Sequence, residues 1–288
     1  MHWKRLRPLA VIIVLLGTVS LFVYFFVRHP EVRHGLSQAS AGLIASLLAL
    51  YLLTIVALAM INAATVRLCD VKMTGNESLL LTMYAAIINF FGPLQSGPAF
   101  RAVYLRKRYQ LNLKRYGVAT LVYYFFFAGF SCIFLLSTLL EWWLVPLAAL
   151  GFLTMWQLPK RAPFKERLAQ INLRNWYYLA LATFLQVGAV CLIYYKELLS
   201  IAPGTHFSQA IVYTGAANLA LFVSLTPGAI GFRESFLLFS QKLHHISTDT
   251  IVAANILDRA VYIVLLIILA AFVFGTHASR RLKKEVSQ

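Results

Sequence analysis

Long apolar runs that carry almost no charge constrain this chain more than any other feature. Six runs approach or exceed the ~20 residues that a helix needs to cross the hydrocarbon core of a bilayer. They cover residues 8–27, 41–65, 117–140, 142–158, 175–195 and 251–274. Because 60% of the residues are hydrophobic and only 12% are charged, one soluble core could not bury the apolar surface. The sequence therefore predicts an all-α integral membrane protein with a single domain over residues 1–288.

The first apolar run follows a short basic segment at the N-terminus. Residues 1–7 contain Lys4, Arg5 and Arg7, and the run that follows is longer than the apolar core of a cleaved signal peptide. We therefore predict a retained signal-anchor helix over residues 7–27.

Two further apolar segments look unlike ordinary spans. Residues 79–91 form a short run that ends in a Gly- and Pro-rich stretch, and residues 207–225 end in another one. Gly and Pro interrupt backbone hydrogen bonding, which at membrane depth is tolerated only against protein or water. We therefore predict two re-entrant helical hairpins, over residues 74–105 and 206–246.

The distribution of basic residues supports this topology. With a cytoplasmic N-terminus and both hairpins returning to their own side, the cytoplasmic segments hold twenty Lys and Arg and the outer segments five. If residues 79–91 crossed the membrane once, the basic segments 99–116 and 159–174 would face outward. We predict about six full spans plus two hairpins from opposite sides, as in transporters with inverted repeats. Both termini, including a basic tail over residues 275–288, are expected on the cytoplasmic side of the inner (cytoplasmic) membrane.

Charged residues inside or beside the apolar runs are the candidates for function, because such groups are rare in membranes and usually paired. Arg233 and Glu234 follow the second Gly-Pro break, and Asp258 and Arg259 lie within the last span. Arg259 could pair with Glu234 and Arg233 with Asp258, or the reverse. The pairs could bind a ligand, lock the second hairpin to the last helix, or do both.

The two hairpin breaks also suit an anionic group. A helix that starts after such a break exposes free backbone N–H groups and a positive dipole end, and glycines let a headgroup approach the backbone. Asparagines could add neutral hydrogen bonds. The predicted substrate-binding residues are Asn89, Pro93, Gly97, Arg101, Asn218, Pro227, Gly228, Gly231, Arg233, Glu234, Asp258 and Arg259.

Several function classes have no motif here. The sequence lacks a Gly-x-x-x-x-Gly-Lys-Ser/Thr loop, a His-Glu-x-x-His zinc motif and a Gly-x-Ser-x-Gly elbow. Cys69, Cys132 and Cys191 are widely spaced and indicate packing rather than a metal site or disulfides. The net charge is +16, and the basic residues lie between the apolar runs. They therefore indicate membrane orientation and contact with anionic lipids rather than nucleic-acid binding. We expect no catalytic residues, no metal and no cofactor.

The segment from Leu225 to Glu234 resembles the Pro-Gly-x-x-Gly-x-x-Glu stretch of the lysylphosphatidylglycerol synthase transmembrane-region family. Residues 89–105, with Asn89, Gly97 and Arg101, are similar to that family's first-half motif, and Arg259 matches an arginine of its last span. The first-half motif departs from the family in residues 95–98, where glycines and an acidic residue are more usual. The resemblance covers about residues 6–274.

This resemblance implies a flippase-like domain, which in the best-understood members moves aminoacylated phosphatidylglycerol between leaflets. Those members carry a soluble aminoacyl-transferase domain, which we do not expect here because residue 274 is followed by only a short basic tail. We expect a lipid transporter that handles an anionic or headgroup-modified lipid. The alternatives are an accessory subunit that binds a lipid carrier in glycolipid or envelope-glycan assembly and, less favoured, a lipid-phosphate enzyme. The expected partners are a phospholipid or lipid-linked substrate, further copies of the chain, or envelope-biosynthesis enzymes.

Overall fold

A computed structural model describes residues 27–28, 39–91, 96–138, 173–223 and 232–286. From residue 39 onward its helices are α1 (Ala41–Arg67), α2 (Gly75–Phe91), α3 (Ser96–Tyr109), α4 (Leu113–Leu135), α5 (Leu173–Ile201), α6 (Phe207–Val223), α7 (Phe232–Phe239), α8 (Gln241–His244) and α9 (Thr248–Val286). The described residues contain no strand, which confirms the all-α prediction. The predicted span over residues 142–158 lies outside them, as does the anchor helix over residues 7–27 except for its last residue.

Four of these helices are long and apolar enough to cross a membrane. They are α1, α4, the part of α5 from Arg174 to Ile201, and the part of α9 from Thr248 to Val273. They correspond to the predicted runs 41–65, 117–140, 175–195 and 251–274. The protein is therefore a multi-pass membrane protein, whereas the count of six spans and the re-entrant placement of the hairpins stay predictions.

One predicted boundary is wrong, and the error matters for the site. The run ending at residue 195 placed Glu197 in an outer loop, but α5 continues to Ile201. The helix continues because Leu198 is buried one residue beyond Glu197. Glu197 is therefore a buried residue of a membrane-spanning helix rather than a loop residue.

Side-chain caps fix where several helices begin. The hydroxyl of Ser40 accepts from the Leu43 amide at 3.2 Å, and the side chain of Asn112 accepts from the Lys114 amide at 2.9 Å. Thr74 caps α2 in the same way, accepting from the Glu77 amide at 3.3 Å, as the Thr-x-x-Glu spacing predicts. These short polar residues occupy the positions where the first backbone N–H groups of a helix lack partners.

The directions of the helices define two ends of the bundle. The guanidinium of Arg67, at the end of α1, lies 5.8 Å from the ring of Tyr178 near the start of α5, so these helices are antiparallel. We call the end at Arg67 the basic end, because most of the described Lys and Arg residues outside the helix interiors lie there. The other is the far end, where Leu47 of α1 packs in one cluster with Leu198 of α5.

The first hairpin, α2 and α3, begins and ends at the basic end. Ser78, near the start of α2, donates to the Ala59 carbonyl of α1 at 2.7 Å. The α3 helix then runs back along α2, since the Tyr104 hydroxyl donates to the Glu77 carboxylate at 2.7 Å and the ring of Phe100 lies 6.2 Å from that of Tyr84. The end of α2 and the start of α3 therefore lie in the interior of the bundle.

The second hairpin, α6 to α8, begins and ends at the far end. Phe207, at the start of α6, packs edge-on against Tyr195 with ring centroids 5.1 Å apart. The chain returns through α7 and α8 until the Gln209 amide donates to the His244 carbonyl at 3.0 Å. The two hairpins thus enter the bundle from opposite ends.

A glycine contact seats the second hairpin against α4. A Cβ atom built on Gly215 would lie 2.6 Å from the Ser131 carbonyl oxygen, so only a glycine fits this approach of α6 to α4. Small residues at such crossings let helix backbones approach closely in membranes, where packing rather than the hydrophobic effect holds helices together.

We predict that Gly215→Ala lowers the stability of the folded protein by roughly 1–3 kcal/mol, the usual effect of overpacking. The matched control is Gly188→Ala on α5, where a Cβ atom would meet nothing within 4 Å. Thermal unfolding in detergent, followed by tryptophan fluorescence, measures both variants. Equal midpoints for the two variants would contradict the close approach at Gly215.

Candidate functional site

A cavity of 340 Å³ lies between the two hairpins, where the end of α2 and the start of α3 approach the end of α6 and the start of α7. Its walls come from both hairpins and from the long helices α1, α4, α5 and α9. The depth of the cavity follows from Tyr51, which lies ten residues into α1 and, at 1.5 Å per residue, about 15 Å from the far end. The ring of Tyr262 lies 5.3 Å from that of Tyr51 and 5.8 Å from that of Phe90 at the end of α2. The cavity is therefore deep inside the helical bundle.

In the first hairpin, the end of α2 and the start of α3 pack closely beside this cavity. The Gly97 amide donates to the side-chain oxygen of Asn89 at 3.3 Å, and the Ser96 hydroxyl donates to the Ile88 carbonyl at 3.1 Å. A Cβ atom on Gly97 would come within 2.7 Å of the Ala85 carbonyl oxygen. Asn89 and Gly97 therefore hold the start of α3 against the end of α2, and both line the cavity.

Arg101 lines the cavity from the same face of α3, one helical turn after Gly97. In the described part of the chain no acidic side chain pairs with it, and its buried Nε atom has no hydrogen-bond partner. A guanidinium carries five N–H donors and keeps its charge under all ordinary conditions. Arg101 thus presents an uncompensated positive charge to the cavity.

The second hairpin brings Arg233 into a buried ion pair. Its Nη2 atom lies 2.6 Å from Oδ2 of Asp258, and the two side chains are only 11% and 8% exposed. The Tyr51 hydroxyl donates to the other carboxylate oxygen of Asp258, and Nη1 of Arg233 donates to the Tyr194 hydroxyl at 3.3 Å. One charge pair therefore connects α7 with α1, α5 and α9.

A second ion pair joins the same two elements. Arg259, the neighbour of Asp258 on α9, binds the carboxylate of Glu234, the neighbour of Arg233 on α7. Of the two pairings that the sequence left open, the structure shows Arg259 paired with Glu234 and Arg233 paired with Asp258. The hairpin is thus locked to α9 through two consecutive residues on each side.

The predicted site residues divide into three groups. Those that line the cavity are Asn89, Gly97, Arg101, Arg233, Asp258 and Arg259. Glu234 reaches the site through Arg259, and Asn218 is buried on α6 outside the cavity lining, with its amide nitrogen unpartnered. Pro93, Pro227, Gly228 and Gly231 lie outside the described residues.

Tyrosines and a glutamine on regular spans also line the cavity, and they were not among the site residues predicted from the sequence. Tyr51 and Tyr194 bind the Arg233–Asp258 pair, and the Tyr123 hydroxyl donates to the side chain of Gln186 at 3.1 Å. A glutamine within an apolar run was a usable signal, since polar side chains in spans seek partners on other helices. The tyrosines gave no signal, because this chain has 14 of them.

Glu77 fastens the first hairpin at the basic end, outside the long apolar helices. Its carboxylate accepts hydrogen bonds from the hydroxyls of Tyr104 at 2.7 Å and Tyr109 at 2.5 Å. Burial, followed by the bond to Glu77, raises the pKa of Tyr104 to about 12. Both phenols therefore remain donors at neutral pH, and the link between α2 and α3 persists.

The chain also matches a known protein family. The family model of the lysylphosphatidylglycerol synthase TM region matches residues 9–270. The chain belongs to this family. No curated protein shows a significant match to the chain. Family membership and the apolar helices together support a lipid-related role in the membrane for this member.

We predict that Asp258→Asn destabilises the protein by about 3–5 kcal/mol, because it leaves the Arg233 guanidinium buried without a counter-charge. The control is Asp70→Asn, which breaks the Arg115–Asp70 pair, whose side chains are 41% and 68% exposed. Exposed pairs of this kind contribute about 0–1 kcal/mol. Chemical or thermal unfolding of both variants in the same detergent gives the comparison.

A double-mutant cycle adds a second check on this pair. Arg233→Gln combined with Asp258→Asn should be less destabilised than the two single losses added together, since the double variant buries no unpaired charge. Additive losses, or a cost for Asp258→Asn no larger than for Asp70→Asn, would contradict a buried charge pair.

Proposed function

We propose that the protein is a flippase-like lipid transporter that binds an anionic or headgroup-modified lipid in this cavity. The charge balance carries the proposal. Arg101, Arg233 and Arg259 line the cavity, and within the part of the chain that the structure describes the acids paired with them are Asp258 and Glu234. The surplus positive charge is that of Arg101, which is partly buried at the cavity, so water screens it less than at the surface and an anion is attracted.

The shape and lining of the cavity suit a lipid headgroup. Its 340 Å³ falls at the lower end of the range of ~300–1,000 Å³ that is usual for ligand sites. Planar guanidinium groups bind phosphate oxygens with two parallel hydrogen bonds, which suits phosphodiester headgroups. Aromatic side chains, including Tyr124, Phe127 and Phe222, line the same cavity and provide apolar surface for the first part of an acyl chain.

The hairpins supply a means of movement. In this proposal both are re-entrant, and each closes one access route to the headgroup, as in transporters built from inverted repeats. Rocking of one hairpin relative to the other would expose Arg101 alternately to the two sides. The directions of the helices support this arrangement, since α2 enters from the basic end and α6 from the far end.

The orientation follows from the charges at the two ends. Outside the cavity, the described residues from 39 to 286 place twelve Lys and Arg at the basic end and two, Lys196 and Lys242, at the far end. Positively charged loops and helix ends stay on the cytoplasmic side of membranes. We therefore propose that the basic end and both termini are cytoplasmic and that the protein lies in the inner (cytoplasmic) membrane.

The decisive experiment follows fluorescent phosphatidylglycerol in vesicles that contain the purified protein. Dithionite bleaches only the label in the outer leaflet, so the rate of further bleaching measures translocation. We expect Arg101→Gln to slow translocation at least tenfold, since it removes the unpaired charge. The matched control, Arg106→Gln, changes an exposed arginine of the same helix and should leave the rate unchanged.

The outcomes separate the proposed roles. Equal rates in wild-type and protein-free vesicles would contradict a flippase. Saturable binding of the lipid without translocation would instead support the accessory role, in which the protein holds a lipid carrier for another enzyme. Equal loss in Arg101→Gln and Arg106→Gln would contradict the assignment of the cavity as the headgroup site.

A further inference from the structure

Glu197 is a fully buried carboxyl group that the proposed headgroup site does not use. It lies on α5, one helical turn before Ile201, and it is 0% exposed. Neither of its carboxylate oxygens has a hydrogen-bond partner. Among the acidic side chains that the structure describes, Glu77, Asp70, Glu234 and Asp258 all have partners and Asp249 is exposed. Glu197 is therefore the exception in that part of the chain.

The surroundings of Glu197 connect it to the cavity. Tyr194, one turn before it on α5, accepts the hydrogen bond from Arg233. The titratable and charged groups that act on Glu197 come from each neighbouring element of the site. They are Tyr51 on α1, Tyr194 on α5 itself, Tyr213 on α6, Arg233 on α7 and Asp258 on α9. A change of charge at Glu197 would therefore act electrostatically on the Arg233–Asp258 pair.

A bare carboxylate is costly in such a position. Buried charges in proteins are normally paired with an opposite charge or satisfied by several donors, and Glu197 has neither. A bound proton removes the charge without requiring a partner. The geometry therefore suits a carboxyl group that binds and releases a proton as the charge around it changes.

We propose that Glu197 is the proton-binding site that couples this protein to a proton gradient, taking up a proton together with the anionic headgroup. The inference rests on the proposed function and adds the coupling ion to it. The proton adds to a carboxylate oxygen of Glu197 from water at one side of the membrane. It leaves from the same oxygen to water at the other side, so no other bond is made or broken.

The charge balance explains why proton and anion bind together. With Glu197 protonated, Arg101, Arg233 and Arg259 exceed Asp258 and Glu234 by one charge. With Glu197 ionised, the balance is zero and the attraction for an anion is lost. Because such coupling is reciprocal, a bound anion favours protonation of Glu197 to the same extent that the proton favours the anion.

The position of Glu197 also indicates the route of the proton. It lies about 6 Å along the helix from the end of α5 at the far end, by the helical rise of 1.5 Å per residue. The cavity lies on the inner side of it, beyond Tyr194. The proton therefore enters from the far end, and the headgroup enters the cavity where Arg101 lies.

The test measures binding and proton uptake in the purified full-length protein, with short-chain phosphatidylglycerol as the anionic probe and short-chain phosphatidylcholine as the neutral one. In weak buffer with a pH-indicator dye, the wild type should take up protons as phosphatidylglycerol binds, on average about half a proton for each lipid between pH 6 and pH 8. Its affinity for that lipid should fall about tenfold between pH 6 and pH 8, a typical coupling between charged sites. Glu197→Gln should bind with an affinity that does not change with pH and should take up no proton.

Two controls separate Glu197 from its neighbours. Lys196→Gln alters an exposed charge at the adjacent position and should behave as the wild type. The rings of His244 and Tyr213 lie 5.5 Å apart, but burial lowers the pKa of His244, and its Nδ1 atom already accepts from the Ile246 amide. Glu197→Asp keeps a titratable group and should retain proton uptake, which provides a second test if Glu197→Gln does not fold.

The outcomes distinguish failure of the coupling from failure of the transport role. If the wild type binds phosphatidylglycerol without taking up protons, the proposed proton coupling is wrong and the proposed lipid site still stands. Proton uptake by Glu197→Gln equal to that of the wild type would overturn the assignment to Glu197. Absence of any phosphatidylglycerol binding would overturn both proposals. In vesicles, a pH gradient should accelerate translocation by the wild type and leave that of Glu197→Gln unchanged.

Discussion

The ion pair between Arg233 and Asp258 is the constraint around which the described structure is arranged. A charge inside a membrane protein must be paired, and here the pair also holds hydrogen bonds to Tyr51 and Tyr194. One short contact therefore fixes the relative positions of α1, α5, α7 and α9. The second hairpin cannot withdraw from the bundle without separating these charges. The neighbouring pair of Arg259 and Glu234 is a second ion pair between the same two helices.

The same pairing decides what the cavity can bind. Two arginines are paired with acids, so among the described cavity residues the positive charge left for a ligand is that of Arg101 on the other hairpin. The locking charges and the ligand-binding charge thus lie on different structural units. In our proposal Glu197 modifies this balance electrostatically from outside the cavity lining.

Hydropathy was sufficient to predict the four long described helices, and adjacent opposite charges were sufficient to predict the ion pairs. The choice between the two pairings was not available from sequence, because it depends on how far α7 is rotated against α9. Tyr51 was missed because an apolar helix gives no pattern that shows which face meets a cavity, whereas Gln186, a polar residue within a span, could have been identified. Glu197 was missed because Lys196 and Glu197 together resemble a loop boundary, although the apolar residues that follow them continue the helix.

The separation of locking and binding charges bears on how a transporter of this design could move. The first hairpin is attached to α1 through Ser78 and is closed on itself by Glu77 and the close approach at Gly97, none of which involves the buried ion pairs. It could therefore shift relative to α9 without breaking a charge pair, and Arg101 would shift with it. A motion of the second hairpin alone would have to separate two buried pairs, which costs far more than breaking contacts between neutral groups. The physical asymmetry between the hairpins thus favours the first as the moving element.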